Sequence, residues 1–112
     1  MLNMEKPPVD ILEEDDKYII IMDVPGISPE NIEITGDETS ITVKGYRKPE
    51  FCGKYIQMER FLGKFYRKIK FNKFINLKKT SAQLRNGVLI INVPKALNEL
   101  ILDSYIKITI RR

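Results

Sequence analysis

Reactive side chains are scarce in this sequence. It contains no histidine, which removes the commonest general base and the commonest neutral metal ligand. Its single cysteine, Cys52, therefore has no imidazole to activate it as a nucleophile. Glu13, Glu14, Asp15 and Asp16 form a carboxylate run that could attract a divalent cation, but consecutive acids in a turn ordinarily just face water. No phosphate loop of the GxxxxGK[ST] type occurs. The residues point to no catalytic, metal or cofactor site, and the chemistry left is association through surface. The stretch spaced for it is Ile106-Lys107-Ile108-Thr109-Ile110. Strict alternation gives a strand one apolar face, and three isoleucines left in water are an aggregation hazard. Either this strand completes the chain's own core or it is held out for a partner.

What must position such a strand follows from the rest of the chain. Its 112 residues suffice for one domain. A hydrophobic share of 43% with 30% charged residues is that of a globular chain. No apolar run approaches the roughly 20 residues of a membrane span. The opening MLNMEKPP lacks the regions of a secretion signal, and one cysteine suits a reducing interior. These features predict a cytoplasmic protein. The net charge of +4 is unevenly distributed: residues 1–46 hold eleven acids and three bases, and residues 47–112 four acids and sixteen bases, so −8 and +12. The basic half could be a nucleic-acid surface, or the two halves of different copies could attract, or each could simply be solvated.

Short β-runs broken by turn signals fill most of the chain. VDILEE (Val9 to Glu14) and KYIIIMDV (Lys17 to Val24) come first, the second apolar on both faces and so expected to be covered on both. Pro25-Gly26 stops it. NIEIT places Ile32 and Ile34 on one face; after a turn at Gly36-Asp37-Glu38, SITVKG turns Ile41 and Val43 inward. A polar stretch, Arg47 to Glu59, holds a short strand-like YIQM. KFYRKIKF then sets Phe65, Ile69 and Phe71 on one face, with Arg67 on that same apolar face. SAQL and VLIINV flank Arg85-Asn86-Gly87, a strong hairpin signal. With no convincing helix before residue 95, the chain reads as an antiparallel sandwich or barrel. ALNELILDSY has helical spacing at Leu97, Leu100 and Ile101, enough for a turn or two, and reads equally as a linker.

Several pieces occur in a known order. PPVDILEEDDKYIIIMDVPGISPENIEI, ITVKGYR, ERFLGKFYRKIKF and AQLRNGVLIINVPK closely resemble the α-crystallin domain of small heat-shock proteins. The similarity runs from about Pro8 to Lys95. Its most specific pieces are DVPGISPENI, the ERxxGxFxR segment Glu59 to Arg67, and AxLxNGVL at Ala82 to Leu89. The resemblance implies an all-β, immunoglobulin-like sandwich over residues 9–95, an arm at 1–8, and a C-terminal extension at 96–112 carrying an Ile-x-Ile anchor. It also implies an ATP-independent holdase without a cofactor, acting as a homo-oligomer on partly unfolded proteins.

Site residues carried over by that resemblance fall into three sets. Ile106, Ile108 and Ile110 match the anchor, with two overlapping registers available. Ile32, Ile34, Ala82 and Leu84 match the apolar slot that receives it, although their spacing alone leaves all four equally at home in the core. Tyr55, Ile56 and Gln57 match a strand swapped onto Val9, Asp10 and Ile11 of a partner, with Arg67 at the same interface. An arginine on an apolar face needs a carboxylate, since burial of an unpaired charge is costly. Against the family pattern, the arm Met1 to Pro8 is short, which counts against strong holdase activity and large cages. Phe71-Asn72 stands where a Leu-Pro-like pair is typical. Outside the chaperone reading stand a scaffold or co-chaperone domain of the same fold, and a basic β-domain stacking single-stranded nucleic acid on Phe65, Tyr66 and Phe71. Those rings alternate with core positions, which argues against the last.

Overall fold

The computed structural model describes residues 5–96 and 106–111. Nine strands form among them: β1 (Val9–Glu13), β2 (Lys17–Asp23), β3 (Ile32–Gly36), β4 (Ser40–Arg47), β5 (Gly63–Lys70), β6 (Ser81–Arg85), β7 (Val88–Pro94), β8 (Ile106–Ile108) and β9 (Ile110–Arg111). Two sheets result, of order β1-β2-β7-β6-β9 and β5-β4-β3-β8. They pack as a sandwich, as the alternating runs predict. The helical spacing at Leu97, Leu100 and Ile101 lies outside the described residues.

Alternation sorts the side chains cleanly. Tyr18, Ile20 and Met22 of β2 and Leu89, Ile91 and Val93 of β7 face inward, against Ile34, Ile41, Val43, Phe65 and Ile69 of the other sheet. The β2–β7 register, Ile20 opposite Ile91 and Met22 opposite Leu89, brings these apolar sets onto one face. Asn86 and Gly87 both hold positive φ, 52° and 77°, the geometry a two-residue hairpin turn needs. At the other hairpin, the Asp37 carboxylate accepts from the Thr39 N–H and the Ser40 hydroxyl, both at 2.9 Å. Burial pushes the Asp37 carboxyl up, but these bonds and the nearby Lys68 outweigh it and hold it below its usual 3.8.

Three expectations need correction. Gly36 belongs to β3, so the turn begins one residue later. YIQM forms no strand: residues 51–60 are exposed and irregular. The outer face of β2 is only half covered, with Ile19 and Ile21 partly exposed beside Leu12 and Ile90.

Candidate functional site

The margins of the two sheets at β3 and β6 leave a gap between them, and the C-terminal segment fills it. β8 runs antiparallel to β3, pairing Ile34 with Ile108, Thr35 with Lys107 and Gly36 with Ile106. β9 then runs parallel to β6, pairing Ala82 with Ile110 and Gln83 with Arg111. One short segment thus closes an edge of each sheet, which removes two rows of unpaired backbone groups.

Of the four residues expected to line a slot, Ile34 and Ala82 stand opposite Ile108 and Ile110, while Ile32 and Leu84 lie further along β3 and β6. Ile34 is fully buried, Ile32 and Ala82 nearly so, and Leu84 packs partly covered against the core. Ala82, the smallest of them, leaves depth opposite Ile110. Ile108 is 6% exposed and Ile110 half-buried, and the backbone of Ile106 pairs with Gly36. A Cβ on Gly36 would come within 2.8 Å of Leu77 Cδ2 and of the Ser40 carbonyl, so only glycine lets β3 pass beneath Leu77. The sequence could not separate slot from core because the slot floor is core: the same isoleucines serve both.

The point where the tail leaves the domain is fixed by Lys95. Its Nζ donates to Glu13 Oε2 at 2.7 Å and to the Glu14 carbonyl at 2.6 Å, and lies 5.0 Å over the Tyr18 ring. Its side chain is 3% exposed. Its own N–H donates to the Asp16 carbonyl, and that of Ala96 to the Phe74 carbonyl. The carboxylate run Glu13–Asp16 is therefore a lysine socket in part. The hydrogen bond from Lys95 holds the Glu13 carboxyl below its usual 4.5, and the same bond holds the Lys95 ammonium above its usual 10.5. The signal available in the sequence was a lone lysine between Pro94 and Ala96, facing a turn of four acids.

The interface residues lie at the other margin. Val9 is half-buried and Asp10 and Ile11 are exposed on β1, whose outer edge is unpaired among the described residues. Phe51, Tyr55, Ile56 and Met58 project from the 48–62 loop, Ile56 with 94% of its surface exposed. Gln57 donates to Glu59 within that loop. Arg47 secures the loop's base, donating to the Pro25 carbonyl at 3.1 Å and to Glu5 Oε2 at 3.0 Å with only 10% of its side chain exposed. Arg67 is half-buried opposite Val43, and no carboxylate among the described residues pairs with it.

A model of the Hsp20/alpha crystallin family matches residues 10–111. The 17.7 kDa class II heat shock protein of Arabidopsis thaliana is 35% identical over 97 residues, spanning 82% of this chain and 62% of that protein. The crystal structure of hspA from Xanthomonas axonopodis superposes with a TM-score of 0.71 at 33% identity, over 84% of this chain and 97% of that one. A small heat-shock protein from Xylella fastidiosa, described as having a distinct high order structure, gives 0.70 at 31% identity over 87% and 92% of the two chains. The chain spans about three-fifths of the length of the curated relative, 62%.

Proposed function

The chain belongs to the Hsp20/alpha crystallin family of small heat shock chaperones, and from that premise we propose that it is an ATP-independent, cytoplasmic holdase that binds partly unfolded proteins without a chemical step. The observation that carries this reading is the β3–β6 slot, which holds an alternating-isoleucine segment by backbone pairing and by burying Ile108 and Ile110. Extended apolar segments are what an unfolding protein exposes. Covering them is worth about 25 cal/mol per Å².

The same slot supports an assembly role. Two isoleucines contribute about 3–6 kcal/mol gross, while association between separate molecules costs on the order of 4–15 kcal/mol. A single tail is thus a weak, reversible link between subunits, and several acting together make a firm one. The tail lies on its own chain's slot here. From Lys95 to Ile106 the roughly eleven residues reach about 36 Å when extended, far enough for the slot of another subunit. Dimers form first, with Tyr55, Ile56 and Gln57 laid along the partner's Val9, Asp10 and Ile11, and a partner carboxylate meeting Arg67. The unpaired β1 edge and the exposed apolar loop support that arrangement.

The test is heat-induced aggregation of a model client followed by light scattering without ATP. Equimolar protein is expected to suppress scattering. Unchanged scattering at every temperature would leave a scaffold or co-chaperone domain of the same fold.

A further inference from the structure

Lysines and tyrosines gather on one face of the sandwich. In the β4–β5 ladder, Tyr46 sits opposite Lys64, Lys44 opposite Tyr66, and Thr42 opposite Lys68. All these side chains are on the outer face, as is Lys70, because Val43, Phe65 and Ile69 take the inner positions. The two tyrosines are therefore diagonal neighbours in a checkerboard with Lys44 and Lys64. Their rings are exposed, 44% for Tyr46 and 38% for Tyr66. They border a groove of about 610 Å³ that Lys44, Lys64 and Asn31 also line. The outer face of the opposite sheet carries Leu12, Ile19, Ile21 and Ile90 instead, so the lysine–tyrosine pattern is no general coat.

We propose that this face binds single-stranded nucleic acid, with Tyr46 and Tyr66 stacking successive bases and Lys44, Lys64, Lys68 and Lys70 meeting phosphates. A sheet with exposed aromatic rings among cations offers both contacts such a strand needs. The ring set Phe65, Tyr66 and Phe71 suggested by sequence fails, since both phenylalanines are buried. The register supplies Tyr46 instead. Carboxylates border the face at Glu30, at Glu33, which lies 4.0 Å from Lys44, and at Asp37 near Lys68. The strand's path accordingly follows β5, where no carboxylate among the described residues pairs with Lys64, Lys68 or Lys70. An acidic patch of a second copy is the rival occupant. Two of the four acids of the β1–β2 turn are engaged at home, Glu13 with Lys95 and Lys73 and Glu14 with Lys17, and an acidic patch would leave the exposed tyrosine rings without a stacking partner.

The experiment is fluorescence anisotropy of labelled oligo-U and oligo-dT, about 16 nucleotides long, titrated with the full chain. Four phosphate contacts predict a slope of log affinity on log salt of about −2.8, or about 50-fold weaker binding for a fourfold rise in salt. Preference for oligo-U would assign the 2′-hydroxyl a contact; equal affinity would assign recognition to phosphates and bases alone. Tyr46→Ala and Tyr66→Ala should each weaken binding about tenfold, Tyr46→Phe and Tyr66→Phe should restore it, and Lys68→Gln with Lys70→Gln should reduce the slope by about 1.4. The phenylalanine variants keep the fold question separate from the stacking question. Absence of binding at the lowest salt overturns the proposal. So does displacement by inorganic polyphosphate with no sensitivity to the tyrosines. Salt-sensitive self-association that the lysine variants abolish, without oligonucleotide binding, assigns the face to a second copy instead.

Discussion

The two margins of the sandwich meet the same physical problem and leave it in different states. At the β3–β6 margin, IKITI lies along two open edges, becomes β8 and β9, and buries Ile108. At the β1–β5 margin, Glu5 covers a little of β5 through its N–H to Lys64 and its carbonyl to Tyr66, but β1 remains an edge. The segment suited to it, YIQM, stays irregular and exposed. IKITI alternates strictly, and YIQM alternates from Ile56 to Met58. What separates them is a groove within reach in the same chain. Alternation makes a strand possible, and a partner edge makes it a strand.

If that contrast is right, the filled margin should be the more fragile to substitution. Ile108→Ser should cost about 3 kcal/mol of tail docking, and Ile110→Ser about 1 kcal/mol, since Ile110 is only half-buried. Hydrogen exchange at the β3 and β6 amides reads the difference directly. Equal costs would break that ordering. Replacing Ile106, Ile108 and Ile110 together with serine should also reduce the assembly in solution to dimers. An unchanged mass would refute the tail as the link between them.

The open margin should respond the other way. Ile56→Asp and Ile11→Asp alter exposed residues, so the unfolding free energy of the single chain should move by no more than about 0.5 kcal/mol. Dimer dissociation should nonetheless shift by about tenfold or more, because a carboxylate would be placed in an apolar contact. Sedimentation on dilution checks this, and an unaltered dimer would show that the loop lies elsewhere.

Asp37 tests whether the filled margin depends on its hairpin. Asp37→Ala removes the bonds that fix the β3–β4 turn, for a cost of about 1 kcal/mol. The loss should appear in thermal unfolding with little change in client binding. A collapse of binding instead would mean the turn sets the slot's width.

How much of this was legible in the sequence divides along the same line. The sandwich, the Asn86-Gly87 hairpin and the inward sets of β4 and β5 follow from alternation and turn chemistry, which are local. The slot residues were identifiable only through resemblance, because Ile32, Ile34, Ala82 and Leu84 have the same pattern as any core strand. Lys95 and Arg47 were illegible for a different reason. Each is a cation whose partners lie far away in sequence, Glu13 at 82 positions and Glu5 at 42, and nothing short of the fold brings them together. The face bearing Tyr46 and Tyr66 needed the β4–β5 register, which places residues of different strands opposite one another.

The smallest expected effect concerns Lys95, where the tail departs. Its partner Glu13 is half-exposed, so solvent screens much of the attraction. The sign is nevertheless definite. The Glu13 carboxyl is held below 4.5, so its contribution is present above that value and is lost as pH falls through the lower folded one. The Lys95 ammonium is held above 10.5, so its contribution is complete below that value and is lost as pH rises through the raised one. Between these limits the pin is intact. Lys95→Met should therefore lower the midpoint of thermal unfolding at neutral pH more than at pH values below the Glu13 transition. It should also loosen the docked tail, because the ammonium ties residue 95 to the Glu14 carbonyl. Should the midpoint fall equally at both pH values, Lys95 acts by packing over Tyr18 rather than by charge. Exchange rates at β8 would then tell whether the exit of the tail still governs the filled margin.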